Sequence, residues 1–349
     1  MYQMQLPVCE EEDAIKLTEA LYGFADVKAT KLYGWDDKNF LIRTPDHHKY
    51  VLKVVNTFEA KIPERYTEMC DMLQALYQRG FTVPCPIKNR WNSWILLKCM
   101  GNTVDPNLIF MLSFLPGKTM DAVHFSEKNF HELTTDLAEF VAKIHIESMA
   151  HNYKGWDVSK NLWRMESITT RNTAPILCLV KDLNLRRICS RVVEKFESTV
   201  LTKLEQLRSG VIHGDLNPAN ALVEKVETIN GADFYKLSGL IDFIEMKQSK
   251  LVFEVATLIA FWMGLAQKRK FDKKLVIKQV LEGYERHLCL SDTEKQCLNL
   301  TVMARLVSYI CSAMSNLNDR DYDTQDSNYV LRMFDSTCCI LRSLWADED

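Results

Sequence analysis

The sequence has 349 residues, of which 47% are hydrophobic and 26% charged, enough to bury one large or two ordinary domains and too apolar for a disordered or fibrous chain. Its 43 Lys and Arg against 46 Asp and Glu leave a formal net charge of -3, which gives no basic footprint for nucleic acid or for a membrane surface. The 11 cysteines, an odd number without a C-x-x-C pair, point to reduced thiols and a cytoplasmic protein rather than to a disulfide or zinc framework.

The chain reaches the acidic run Glu10 to Asp13 without a basic and then apolar segment, so no secretory signal is read. Apolar positions at Ala14, Leu17, Ala20 and Leu21 predict a helix over 10–22, with Gly23 placed to end it. Segments 27–33, 39–44 and 49–55 have strand length and composition, and Pro45, Asp46 and His47 punctuate the last two, which predicts an antiparallel meander. A helix from Pro63 to Arg79, stopped by Gly80, follows, then strands at 83–88, 93–100 and 108–113. From Phe114 the texture changes. Ser126 can cap a long helix reaching Ser148, a helical stretch covers 177–208, and four helices fill most of 252–346, in keeping with the lack of any proline after Pro218. A strand-rich island, 210–243, lies among them. Leu251 to Gln267 has about the length of a membrane span, but with Glu254 inside it the segment reads as a buried helix.

The chemistry concentrates in that island. His213 to Asn220 has the form H-x-D-x-x-x-x-N, and an apolar strand ends in Asp242-Phe243 a short interval later. Phosphoryl transfer needs such parts: a carboxylate, Asp215, to accept the attacking hydroxyl's proton, and an amide oxygen and second carboxylate, Asn220 and Asp242, to hold Mg²⁺ on the phosphates. Were the pattern structural, Asp215 and Asn220 would be turn formers, but the paired Asp-Phe strand end argues against coincidence. Lys53, in the otherwise apolar run Tyr50 to Val55, is the expected phosphate-binding lysine, with Glu68 on the following helix preferred over Glu64 as its partner. Gly34 to Asn39 joins the first two strands where a phosphate loop is expected; Gly34 offers backbone N–H groups and Asn39 can fix the turn, whereas Asp36 and Asp37 suit turn formation as well as function. Pro116 to Thr119 mimics the end of a Walker A loop, but Leu112 stands where its first glycine is required. His145 reads as a satisfied core or surface residue rather than a metal ligand. The fold these parts imply is α+β: a two-lobed, protein-kinase-like chain. Residues 1–113 form a small N-terminal antiparallel-sheet lobe with one helix that binds nucleotide. Residues 114–349 form a larger helical lobe with the catalytic loop and substrate site.

These residues resemble the aminoglycoside phosphotransferase and choline kinase superfamily, which shares the His-Gly-Asp opening. Asn217 stands where protein kinases usually have Lys, which favours a small-molecule acceptor. Within the superfamily the chain is similar to the hydroxylysine kinases, on Trp35 to Phe40, Tyr50 to Thr57, Leu112 to Gly117, His213 to Asn220, Ser238 to Phe243 and Val252 to Ala256. The resemblance implies GTP (or ATP) as donor, Mg²⁺, and a small amine-bearing alcohol, 5-hydroxy-L-lysine, as acceptor, with no nucleic acid or membrane partner. By motif position it makes Asp215 the base, Asn220 and Asp242 the metal ligands and Lys53 the α/β-phosphate contact. His213, Asn217 and Glu68 support them, and the backbone around Ser113 and Leu115 meets the base. The acceptor is expected near Glu245, Glu254, Trp163 and Arg164, with Trp156 close by, although Glu254 reads equally as a brace for the catalytic loop and the tryptophans read more readily as core packing. The chain departs from the family where Ile244 and Glu245 replace its Gly-Asp, and where Thr67 rather than Glu68 aligns with its helix glutamate. Other amino alcohols such as choline or ethanolamine, and a nucleotide-binding pseudokinase, are the competing readings.

Overall fold

The computed structural model describes residues 6–34, 36–101, 104–150, 162–229, 232–319 and 324–347, which excludes Trp35 and Trp156 of the motifs above. The chain folds into two compact units, and the first is not contiguous in sequence: it comprises Met1–Gly117 together with Ser238–Ile244.

The first unit opens with α1 (Glu11–Tyr22), started by a reciprocal capping box between Glu10 and Asp13 and ended by Gly23 in the left-handed region at φ 77°. Strands β1 (Lys28–Leu32), β2 (Lys38–Arg43) and β3 (Lys49–Val55) make the expected antiparallel meander. After α2 (Pro63–Gln78), with proline in its first turn, come β4 (Pro86–Ile87), β5 (Ile95–Lys98) and β6 (Asn107–Ser113). The sheet order is β1-β2-β3-β6-β4, with β5 also paired to β6. Leu17 and Leu21 of α1 cover one face of this sheet, packing with Phe40, Ile42, Leu52, Val54, Ile109 and Met111, while the register sets Lys53 opposite Asn39 and Phe110.

The second unit comprises Lys118–Leu237 and Glu245–Asp349. It begins with β7 (Lys118–Thr119), which pairs with the later β9, so the Walker-like run is a strand and not a phosphate cradle. Ser126 caps α3 (Glu127–Met149) by accepting from the Asn129 amide. The stretch 177–208, expected to be continuously helical, is interrupted. The structure gives α4 (Thr170–Leu177), α5 (Leu183–Thr199) and a 3-10 segment over Leu201–Gln206. Asp182 caps α5 through the Leu185 amide at 2.8 Å, and Arg186 reaches back to the carbonyls of Cys178 and Val180, so side chains satisfy the backbone at the break.

Strands β8 (Ser209–Ile212), β9 (Ala221–Ile229) and β10 (Ala232–Leu240) make up the island. One more strand, β11 (Lys247–Lys250), lies beyond its expected end and pairs with β8, setting Lys247 opposite Ile212. Four helices complete the chain: α6 (Leu251–Arg269), α7 (Lys274–Tyr284), α8 (Asp292–Asp319) and α9 (Thr324–Ala346). Every residue of α6 from Leu251 to Ala266 is buried, and the helix packs against α7, α8 and α9. A helix apolar on all sides belongs in a core, and among the described residues the two helices long and apolar enough to span a bilayer are mostly buried within the protein.

Candidate active site

The loop between β8 and β9 is closed by its own side chains. Asn217 Nδ2 donates to Asp215 Oδ2 at 2.9 Å, and Asn220 Nδ2 donates to the same oxygen at 3.1 Å and to the Asp215 carbonyl at 2.9 Å. The Ala219 amide donates to Asn217 Oδ1, and the Met120 amide ties down the Pro218 carbonyl. Two amides thus fix the Asp215 carboxylate, while Asn220 spends its NH₂ group and keeps its carbonyl oxygen for another partner.

Behind the loop stands Glu254. Its carboxylate accepts the backbone N–H groups of His213 and Gly214. It is 1% exposed, so it braces the loop, and the expectation of substrate contact is not met: both oxygens face protein amides. His145 Nε2 lies 3.9 Å from Glu254, and Nδ1 of the same ring meets the Tyr284 hydroxyl at 2.8 Å. Burial pushes the Glu254 carboxyl up. The His145 and His213 rings and the Gly214 amide outweigh that and hold it below the usual range. Gly214 has φ 84°, and a Cβ there would come within 2.2 Å of the Glu245 carbonyl, so only glycine lets the two segments meet.

In the first unit Lys53 is buried and its Nζ sits 2.7 Å from Asp242 Oδ1. Asp242, not Glu68, is therefore the Lys53 partner. What α2 turns toward the Asp242 segment is a cation: Arg65 donates to the Ile244 carbonyl and pairs with Glu59 at 2.5 Å. Glu68 makes no ion pair with Lys53, and its Oε2 is buried without a hydrogen-bond partner. Asp242 itself has φ 64°, a left-handed conformation uncommon outside glycine that Asp tolerates better than most residues.

The turn before β2 is built as a tight bend. Asn39 Nδ2 donates to the Tyr33 carbonyl at 3.0 Å, and a Cβ on Gly34 would lie 2.4 Å from the Asp37 carbonyl. Asp37, read from sequence only as a turn former or a functional acid, accepts both the backbone and side-chain N–H groups of Asn56, which directly follows the Lys53 strand. Burial raises its pKa to about 6, even though Lys53 and Asn56 pull it down; Asp242 pushes in the same direction as burial. Along β6, the Ser113 amide donates to the Cys85 carbonyl and its hydroxyl accepts from the Cys85 amide, so this backbone N–H is spent inside the sheet. The Leu115 side chain lies beside Gly239.

On the acceptor side, Glu245 pairs with the buried Lys247 at 3.6 Å. Trp163 packs with Phe261 and Tyr309, and Arg164 Nε lies 3.9 Å from Glu166. The residues that sequence reasoning passed over are Arg65, Glu166, Tyr284 and Arg305. Arg305 had a legible signal, the same one that exposed Glu254: a charge inside an apolar helix.

Known proteins share this chain's sequence pattern and fold. Residues 32–290 match the family described as "Phosphotransferase enzyme family", APH. Hydroxylysine kinases are similar in sequence: that of Mus musculus is 28% identical, over 86% of this chain and 80% of its own. That of Bos taurus is 27% identical, over 87% and 83%. The fold is shared with the amicoumacin kinase hAmiN in complex with AMP-PNP and Ca²⁺, at TM-score 0.67 and 15% identity, covering 95% of this chain and 93% of that one. It is shared too with a microcompartment-associated aminopropanol kinase, at TM-score 0.63 and 16% identity, covering 96% and 97%. With the family's residues spanning both the lysine strand and the catalytic loop, the chain belongs to the APH phosphotransferase family and is a phosphotransferase acting on an alcohol group.

Proposed function

We propose that this phosphotransferase moves the γ-phosphoryl group of GTP or ATP onto the side-chain hydroxyl of 5-hydroxy-L-lysine, with Mg²⁺, in the cytosol. The observation that carries the reading is the similarity of most of the chain to hydroxylysine kinases from four vertebrates. The nucleotide is assigned to the first unit, through Lys53, the Gly34 to Asn39 turn and the Ser113 to Leu115 segment. The acceptor is assigned to the second, near Glu245, Trp163 and Arg164.

Asp215 is the residue that accepts the acceptor hydroxyl's proton. Its carboxylate is held by Asn217 and Asn220, so orientation is set before the acceptor arrives, and positioning supplies most of the rate in such transfers. Glu254 keeps that loop in place from behind. Lys53, now on Asp242, is the group that meets the phosphates. Asn220 offers a neutral amide oxygen and Asp242 a carboxylate, the donors that the family resemblance assigns to magnesium. These are hard ligands of the kind Mg²⁺ takes alongside phosphates and water. When bound it neutralises charge on the transferring group.

The test is direct: purified protein with Mg²⁺, GTP or ATP, and a panel of 5-hydroxylysine, choline, ethanolamine and 1-amino-2-propanol, with phosphorylated product measured. Asp215→Ala should lower turnover about 10³-fold while nucleotide affinity is kept; unchanged turnover would remove Asp215 from the role of base. Preferential phosphorylation of choline or ethanolamine would reassign the acceptor. Nucleotide binding with no acceptor phosphorylated would make the chain a pseudokinase.

A further inference from the structure

The second unit buries an arginine for which the roles above have no use. Arg305, on α8, is 2% exposed. Its Nε donates to Thr257 Oγ1 at 3.0 Å, its Nη1 to the Trp163 carbonyl at 2.9 Å, and the guanidinium lies 5.4 Å from the centre of the Trp163 ring. Both acceptors are neutral. Among the described residues no carboxylate pairs directly with this cation, and its Nη2 makes no hydrogen bond. An uncompensated guanidinium is one of the costliest groups to bury, and a half-used fork is poor structural economy. Glu254, Asp215, Glu166 and Glu245 act on it from a longer distance. Burial nonetheless pulls its pKa down to about 10.

Of those four acids, Glu254 is spent on the loop amides, Asp215 is committed to the acceptor's proton and Glu245 pairs with Lys247. Glu166 has none of these tasks. Its Oε1 accepts from Ser249 Oγ at 2.5 Å, while its Oε2 is buried without a hydrogen-bond partner, with only the loose Arg164 contact at 3.9 Å. Arg305 hydrogen-bonds the carbonyl of Trp163, three residues before Glu166, so one neighbourhood holds an unused guanidinium edge and an unused carboxylate oxygen that do not satisfy each other. Such a pair is complementary to a ligand carrying both charges itself.

We propose that Arg305 binds the carboxylate of the acceptor and Glu166 its adjacent ammonium, so that the site selects a hydroxylated amino acid over a simple amino alcohol. The inference rests on the acceptor reading above and deepens it. The planar fork suits a carboxylate, which choline, ethanolamine and aminopropanol lack.

The experiment compares 5-hydroxylysine with its decarboxylated counterpart, 2-hydroxy-1,5-diaminopentane, in the unmodified protein and in Arg305→Met. The unmodified protein should favour the amino acid by about 100-fold in kcat/KM, mostly through KM, as the loss of a charge-assisted hydrogen bond implies. Arg305→Met should erase that preference by losing activity on the amino acid alone. Equal use of both compounds by the unmodified protein overturns the assignment while leaving hydroxyl phosphorylation standing, and this comparison decides the matter even if the variant does not fold. Equal loss on both compounds in a folded Arg305→Met overturns it as well. Phosphorylation of neither compound overturns the acceptor reading and this inference with it.

Discussion

Buried Glu254 and half-buried Asp37 answer desolvation in opposite ways. Glu254 is compensated: amides and imidazoles hold its carboxyl below the ordinary carboxylate range. Its stabilising contribution is therefore present above the ordinary carboxylate range and lost as pH falls through the depressed value. Glu254→Gln keeps the shape but sets an NH₂ group against a donating amide. It should cost about 2–3 kcal/mol, flatten the acid limb of a stability–pH curve measured by urea denaturation, and lower kcat through a loosened Asp215 loop. Asp37 is under-compensated: its pKa is raised from 3.8 to about 6. The folded state resists its ionisation, so stability is highest below the unfolded value and is lost as pH rises through about 6. Asp37→Asn can still accept from Asn56. It should therefore be more stable than the parent at pH 7 by about 2 kcal/mol, an advantage that vanishes near pH 4. A thermal-melt series without nucleotide across that range checks the sign, and an advantage constant with pH would contradict it.

At the scale of elements, the link from α2 to the Asp242 segment is the least expected feature. Arg65 is buried, anchored by Glu59 at 2.5 Å, and bound to the Ile244 carbonyl. Glu59 itself opens the 3-10 turn Glu59–Lys61, and the amides of Phe58 and Glu59 donate to Asn56 Oδ1. The Lys53 strand, the turn after it, α2 and the Asp242 segment are thus one hydrogen-bonded chain. Arg65→Met should leave the helix intact yet release Asp242, raising the KM for the magnesium–nucleotide complex about 10-fold with a smaller change in kcat; an unaltered KM would reduce Arg65 to a packing residue. Little of this was legible beforehand. The helix ends at Ser126 and Gly23 and the meander of β1 to β3 announce themselves through local spacing, because the residues that make them are neighbours in sequence. The partner of Lys53 does not: sequence spacing offers Glu64 and Glu68 on the following helix, whereas Asp242 lies 189 residues away and only the fold brings it to Lys53. For the same reason the strand β11 escaped notice: Lys247-Gln248-Ser249-Lys250 has no apolar alternation, and only the pairing with β8 makes it a strand.

Over the whole molecule, composition proved most informative about what surrounds the site. The near balance of 43 basic and 46 acidic residues leaves charge to act locally, at Lys53, Asp215, Arg305 and their neighbours. The scattered cysteines follow the same logic of local environment. All 11 are free thiols, and Cys99, Cys178, Cys289 and Cys339 are exposed while Cys9, Cys70, Cys189, Cys297, Cys311 and Cys338 are buried. Burial pushes the Cys9, Cys311 and Cys338 thiols up to about 12, and raises Cys70 and Cys189 as well. The thiolate is the reacting species, so those groups are doubly protected, by access and by ionisation. Native protein treated with a thiol-reactive disulfide at pH 8 should therefore show a fast phase of four groups, with the half-buried Cys85 slower and the remainder reacting only on unfolding. The denatured chain should release all 11. A fast phase of seven or more groups in the native protein would mean that the helical core opens far more readily than its packing implies. Since α6, α8 and α9 carry or cover both Glu254 and Arg305, such opening would also undermine the fixed acceptor site on which the selection of an amino acid depends.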